Sequence, residues 1–268
     1  MVGMGCTVSC HKDDQKMKLF EASLPNVIVS KEFLQLIGVG ALVYFIYAEL
    51  YTYLITAVAL RLLIEYIPHH VGLHRYFTHQ SFKTNKFWHI VLCFLSPLVC
   101  AGSPIGYAIT HRAHHKYSDK EFDPHSPKFT GFVNSIMVRW IWDGVIPRLS
   151  KNLKDPWVFL IHRWYLLIII VFCATLLIID PLLFLSYCMA MMLGKLNMIS
   201  NNYVCHLPGV KINYRNYDTP DDSQNNVING WIVGEWHNNH HGRPGEWNQR
   251  VRWWEWDVPS LIIRLIKT

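Results

Sequence analysis

The amino-acid sequence predicts an all-α integral membrane protein, with four transmembrane helices paired in two hairpins beneath a cytoplasmic helical cap that gathers histidines. Three observations predict it. Of 268 residues, 51% are hydrophobic and 16% charged, against about a quarter charged in a soluble domain. Two long apolar regions each have room for two crossings. The chain also carries 15 histidines, and most of them stand in clusters where those regions end. The length suits one domain spanning 1–268.

The first apolar region runs from about Val27 to Val71, interrupted by little more than Glu49, Arg61 and Glu65. A crossing takes roughly 20 residues, so the region divides into helices over 27–47 and 51–71, with a turn near Ala48–Tyr51. The second runs from about Val158 to Cys205 and divides at Asp180-Pro181 into helices over 158–179 and 181–205. Segments 72–157 and 206–268 then form the cap. Pro68 is expected to kink its helix just ahead of the first histidines. Arg61 and Glu65, four residues apart, would pair within the membrane, and Lys195 would snorkel or pair inside the bundle.

Charge orients the hairpins. Of 25 Lys and Arg, four precede residue 32, eleven lie in 72–155 and seven follow residue 206. The two turns carry none, only Glu49 and Asp180. Basic residues favour the cytoplasmic side, which places both termini and the 72–155 segment there, in an endoplasmic reticulum or bacterial plasma membrane. The net charge of +6 is then one basic face against anionic headgroups. The basic residues form no arm or module of a nucleic-acid binder. Seven scattered cysteines make no disulfide framework, and residues 1–26 do not read as a signal peptide. The tryptophans 247, 253, 254 and 256 read as an interfacial belt.

The histidines carry the chemistry. His74 and His79 form H-x4-H. His111, His114 and His115 form H-x2-HH, as do His237, His240 and His241. Asn202 and His206 form N-x3-H at the end of the last membrane helix. Residues three or four apart share a helix face, so members of each box converge on a metal. One four-coordinate zinc would leave about five of these nine imidazoles unused, whereas two six-coordinate irons, with positions left for water or dioxygen, use the set. His11, His89 and His162 read as structural, His125 as a support of the second box, and His70 as placed to orient His74. The boxes can meet only on one side of the membrane. The apolar run Phe87–Ile109, broken by Pro97, Gly102, Pro104 and Gly106, is therefore expected to lie in the interface or re-enter rather than cross.

The motifs HRYFTH (74–79), HRAHHKYSD (111–119), DPHSP (123–127), NNYVCH (201–206) and GEWHNNHH (234–241) resemble those of the membrane fatty acid desaturases, most closely the acyl-CoA (stearoyl-CoA type) Δ9 branch, over about residues 27–258. The resemblance implies a di-iron, dioxygen-dependent oxidoreductase that places a cis double bond, Δ9 in that branch, in a saturated acyl chain. It implies His74, His79, His111, His114, His115, His206, His237, His240 and His241 as iron ligands, and Asn202 acting through a bound water. The substrate would be a long-chain acyl-CoA or another acyl carrier, and the electron donor a separate ferredoxin or cytochrome b5. Leu62 and Tyr66 would line the deep end of a narrow apolar tunnel, with bulky Tyr66 limiting chain length. Tyr107 would stand at the tunnel wall and Arg112 near the headgroup of the carrier. Gly234-Glu235-Trp236 is one residue shorter than the usual approach to the third box, and Tyr107 stands near where a Trp is frequent. A membrane hydroxylase or ketolase of lipids is the competing enzyme. A b-type cytochrome would need histidines at mid-membrane, and a non-catalytic receptor or scaffold would not need intact boxes.

Overall fold

The structure, a computed structural model, describes residues 31–124, 126–129, 131 and 149–268. His11 and His125 lie outside them. The fold is overwhelmingly helical. Helix α1 covers 31–47 and turns through Ala48–Leu50 into α2 (Tyr51–Ile64). The turn closes on the Leu50 amide donating to the Phe45 carbonyl at 2.8 Å.

Helix α2 does not kink at Pro68. It continues as a π-helical stretch, Glu65–Thr78. Proline cannot donate to the carbonyl four residues back and crowds it, and wider π winding removes that conflict. The rewinding has a chemical consequence. Residues five apart on an α-helix point about 140° apart, but on a π turn they align. His74 and His79 thereby face each other, with ring centroids 4.9 Å apart and the His79 amide bonded to the His74 carbonyl at 3.0 Å.

The apolar run 87–109 is not one helix. Asn85 caps α3 (Lys86–Leu95) by accepting from the Trp88 amide. The chain tightens into a 3-10 turn over Ser96–Val99 and breaks at Cys100–Ser103, and Ser103 caps α4 (Pro104–Tyr117). The two halves are bent by 76°. The segment 158–179 departs from the single helix expected of it. It is α5 (Pro156–Arg163) and α6 (Tyr165–Ile179), bent by 69° at Trp164. The sequence reason is in the last turn of α5, where His162 and Arg163 stand on an otherwise apolar run. His162 bonds Ser103 Oγ at 2.6 Å, which holds α5 against α4 rather than in line with α6. Asp180 then caps α7 (Pro181–Asn202), accepting from the Leu182 amide at 2.9 Å.

By length and composition, two helical stretches are apolar enough to cross a membrane, Tyr51–Thr78 and Pro181–His206, and each bent pair adds one more if it is a single span. The outer faces of α1, α2 and α6 expose Leu36, Val43, Ile55, Ile170 and Ile178, a continuous apolar exterior suited to lipid. Inside, Leu73, Tyr165, Tyr187 and Cys188 pack in the helical layer. Val71, Phe77, Leu92, Ile109 and Ile263 form the core of the cap.

After His206 the cap is built from short elements: β1 (Asn213–Tyr214) antiparallel to β2 (Asn225–Asn226), α8 (Val227–Val233), α9 (His237–Gly242) and α10 (Val258–Ile266). Fully buried Arg75 ties these to the first box. It donates to Asp257 at 2.9 Å and to the carbonyls of Trp247 at 2.7 Å and Gly234 at 3.2 Å.

Close approach of α1 to α7 depends on Gly38, where a Cβ would stand 2.3 Å from the Cys188 carbonyl oxygen. Small residues let helix backbones meet in membranes. Gly38→Val should destabilise the fold by about 1–3 kcal/mol, read as a lower unfolding temperature of the purified protein in detergent. Wild-type behaviour there would show that the helices do not pack this closely.

Candidate metal centre

The three boxes and His206 meet in two adjoining groups. In the first, Nε2 of His74 lies 3.0 Å from Nε2 of both His111 and His240, and Nε2 of His115 lies 3.1 Å from His111 and 2.7 Å from His240. The His79 ring packs at 4.5–5.0 Å from those of His74, His111, His115 and His240. In the second, Nε2 of His206 lies 2.8 Å from His237, and Nε2 of His114 lies 3.3 Å from His241. The rings of His115 and His241, 4.5 Å apart, join the groups.

Helical spacing explains the division. Within each H-x2-HH box the two histidines four apart share a face, and the third points to the neighbouring group. On α4, His111 and His115 enter the first group and His114 the second. On α9, His237 and His241 enter the second and His240 the first. Two helices carrying the same motif thus fill both groups reciprocally.

Protons cannot satisfy this arrangement. A neutral imidazole has one N–H and one lone pair, yet His240 Nε2 has three imidazole nitrogens within 3.4 Å. The His74 and His240 Nδ1 atoms and the His79 Nε2 atom are buried without a hydrogen-bond partner among the described residues. Burial, first of all, lowers His74, His79, His111, His115, His237, His240 and His241 and keeps them uncharged, whereas at His114 the Asp123 carboxylate outweighs burial and raises the ring above its ordinary value. The His79 ring is pushed down to about 3 by burial and nearby Arg112, and His240 and His241 also lie well below the usual range, by burial and by their neighbours. Clustered neutral imidazoles with inward lone pairs fit a metal cation, and the two groups fit two.

The second group has a further layer. His114 donates from Nδ1 to Asp123 at 2.9 Å, His206 to Asp119 at 2.8 Å, His241 to Asp221 at 2.7 Å and His237 to Glu235 at 3.3 Å. Burial opposes charge on Asp221, but hydrogen bonds from His241, Ser223 and Thr219 outweigh it and hold its carboxyl well below the usual range. Such carboxylates fix which nitrogen faces inward and raise its basicity. Together they carry four negative charges, the amount that balances two divalent cations. Among the described residues, none of the five histidines of the first group hydrogen-bonds a carboxylate.

An open cavity of about 100 Å³ reaches the centre, and His111, His114 and His237 form part of its wall. Tyr107 lines it, stacked on His111 at 5.6 Å and 3.1 Å from His69 Nε2. Asn202 lines it too, one turn before His206. Leu62 and Tyr66 do not. The Tyr66 hydroxyl donates instead to the Ile232 carbonyl at 2.6 Å, and the deep wall holds Arg61 and Lys31 where an apolar tunnel end was expected. Arg112, expected at a carrier headgroup, turns its guanidinium to the carbonyl of Thr78 and fastens the second box to the first. The backing carboxylates, Arg75 and the network of Glu65 with Arg61, His69 and Asn197 are the parts that box spacing does not announce. Asp119 and Asp123 do stand inside the quoted motifs, but Asp221 lies far from any box.

The depressed histidines set a pH dependence for the metal-free protein. They take up protons near 6.5 when unfolded and far lower when folded. Stability is therefore full above about pH 6.5 and falls as the pH drops toward 3, because the unfolded chain binds more protons. Unfolding temperatures of the apo-protein from neutral to acid pH should decline across that window. A flat profile would mean that the imidazoles are not buried in the neutral form.

A family model for fatty acid desaturase matches residues 44–257. The chain is 30% identical over 209 residues to Delta-9 acyl-lipid desaturase 1 of Arabidopsis thaliana, covering 74% of this chain and 67% of that one. It is 31% identical over 212 residues to sn-1 stearoyl-lipid 9-desaturase of Anabaena variabilis, covering 74% of each. It is 29% identical over 209 residues to acyl-CoA 5-desaturase AL21 of Anemone leveillei, covering 74% of this chain and 63% of the relative.

Proposed function

The chain belongs to the fatty acid desaturase family, and from that premise we propose that it is a di-iron, dioxygen-dependent fatty acyl desaturase that introduces a cis double bond, at Δ9, into a saturated acyl chain. The observation that carries the reading is the meeting of nine box histidines in two adjoining groups with inward nitrogens. His74, His79, His111, His115 and His240 would hold one iron. His114, His206, His237 and His241 would hold the other, with Asn202 acting through a water. When bound, the irons supply the redox chemistry, in which dioxygen is reduced to water by two hydrogens from the chain together with two electrons and two protons from outside.

The protein's own residues do the positioning. Asp119, Asp123, Asp221 and Glu235 hold the Nδ1 protons of their histidines, so Nε2 stays the inward atom. Arg75 and Asp257 lock the π-helical first box to the segment that presents the third. Tyr107, stacked on His111, closes one wall of the cavity against water. Two relatives are named for acyl lipids and one for acyl-CoA, and the acyl chain here would be carried on CoA or another acyl carrier. A separate ferredoxin or cytochrome b5 would deliver the electrons.

The same reading arranges the single domain in the bilayer. Four crossings, over about 27–47, 51–71, 158–179 and 181–205, leave both termini and segments 72–157 and 206–268 on the cytoplasmic face. The two long apolar helices and the basic residues of the cap support it.

Expression in a desaturase-deficient host, followed by fatty-acid methyl ester analysis, should yield a new monounsaturated product and a protein with two irons per chain. His237→Ala should abolish the product and lower the iron content. An unchanged profile from well-expressed, iron-free protein would overturn the assignment, and retained oxygen in the product would replace desaturation by hydroxylation.

A further inference from the structure

The cavity that meets the histidine groups has a floor built around cations. Lys31 of α1 and Arg61 of α2 both face it, with Gln35 and Asn197 beside them. Room for the guanidinium is provided by α7. A Cβ on Gly194 would stand 2.5 Å from Arg61 Nη1, so the helix is glycine where the arginine lies. Arg61 pairs with fully buried Glu65, and Lys195 pairs with Glu32 at 3.0 Å. Lys31 has no such partner. Its ammonium lies 2.8 Å from the Met198 sulfur, and among the described residues no carboxylate stands within salt-bridge distance of it. Among the described residues, three cations (Lys31, Arg61, Lys195) against two carboxylates (Glu32, Glu65) leave one positive charge uncompensated. Glu235, on the metal side of the cavity, is already engaged by His70 and His237.

An uncompensated charge in a helical layer surrounded by lipid is costly. The methyl end of an ordinary acyl tail would gain nothing from amide and guanidinium groups and would desolvate them. A monoanion reverses both terms. It balances the surplus charge and accepts charge-assisted hydrogen bonds. Resting on the desaturase reading, we infer that the floor of the cavity is a carboxylate subsite formed by Lys31 and Arg61, and that the substrate is an alkyl chain whose carboxylate lodges there while its methylenes lie toward the histidines. Glu235 repels the anion from the metal side and so sets the direction of the chain. The carboxylate has two sources: the fatty acid's own, unactivated, or one at the far end of an acyl thioester.

The test is binding to the purified, iron-loaded full chain in nanodiscs, at about pH 7, where a carboxylate and an ammonium are both charged. Hexadecanoate is compared with methyl hexadecanoate, and ω-carboxyhexadecanoyl-CoA with hexadecanoyl-CoA. At least one carboxylate-bearing probe should bind about tenfold or more tighter than its partner. A preference in the first pair identifies the unactivated fatty acid, and one in the second pair the far-end carboxylate. Lys31→Met should erase the preference and Lys31→Arg should retain it, which separates lost charge from lost folding. No preference in either pair, or a preference that survives Lys31→Met, would overturn the inference. The two proposals fail separately. An iron-containing protein that forms a monounsaturated product without carboxylate preference sinks only the subsite. An iron-free, inactive protein that keeps the preference sinks only the desaturase reading.

Discussion

Nine histidine side chains brought within touching distance, most of them buried, are a constraint that the rest of the structure has to satisfy. Imidazoles at these separations cannot all hydrogen-bond one another, and burial removes for most of them the option of staying protonated as in water. The fold therefore supplies what a cation requires: neutral rings, lone pairs turned inward and negative charge behind them. The π winding of 65–78, the reciprocal use of α4 and α9 and the carboxylates Asp119, Asp123, Asp221 and Glu235 all serve that one geometry.

The scaffold around the centre works by locking remote segments together. Buried Arg75 joins the first box to Asp257 and Gly234, 182 and 159 residues away in sequence. Asn239, between the histidines of the third box, donates to the Gln249 carbonyl and Glu255 and accepts from Asn216 and Asn225. These contacts let a nine-histidine centre assemble from short elements that have little core of their own. The cavity beside it mixes hydrocarbon with cations, and this is where the protein departs most from a plain apolar tunnel.

Much of this was legible in the residues. The histidine boxes name the nine side chains, because H-x2-HH on a helix gives one face two ligands and the adjoining face a third. The break at Cys100–Ser103 was legible from Pro97, Gly102 and Pro104, and from the need to keep the boxes together. The bend at Trp164 was not: His162 and Arg163 interrupt the apolar run there, but only the tertiary structure brings Ser103 to His162 and turns the helix aside. Pro68 read as a kink, since sequence alone does not say whether a proline bends a helix or is absorbed by a wider turn.

What the sequence determined by itself was the inventory: apolar helices, ligand types, and spacings that repeat with the helical period. Those are local properties, fixed by residue identity and by 3.6 residues per turn. The tertiary structure decided which histidine joins which group, which acid backs which imidazole, and that Arg61 and Lys31 rather than Leu62 and Tyr66 face the cavity. Many of these depend on side chains that meet far apart in the chain, as His206 meets Asp119 across 87 residues and Lys31 meets Met198 across 167, and no local period encodes such a meeting.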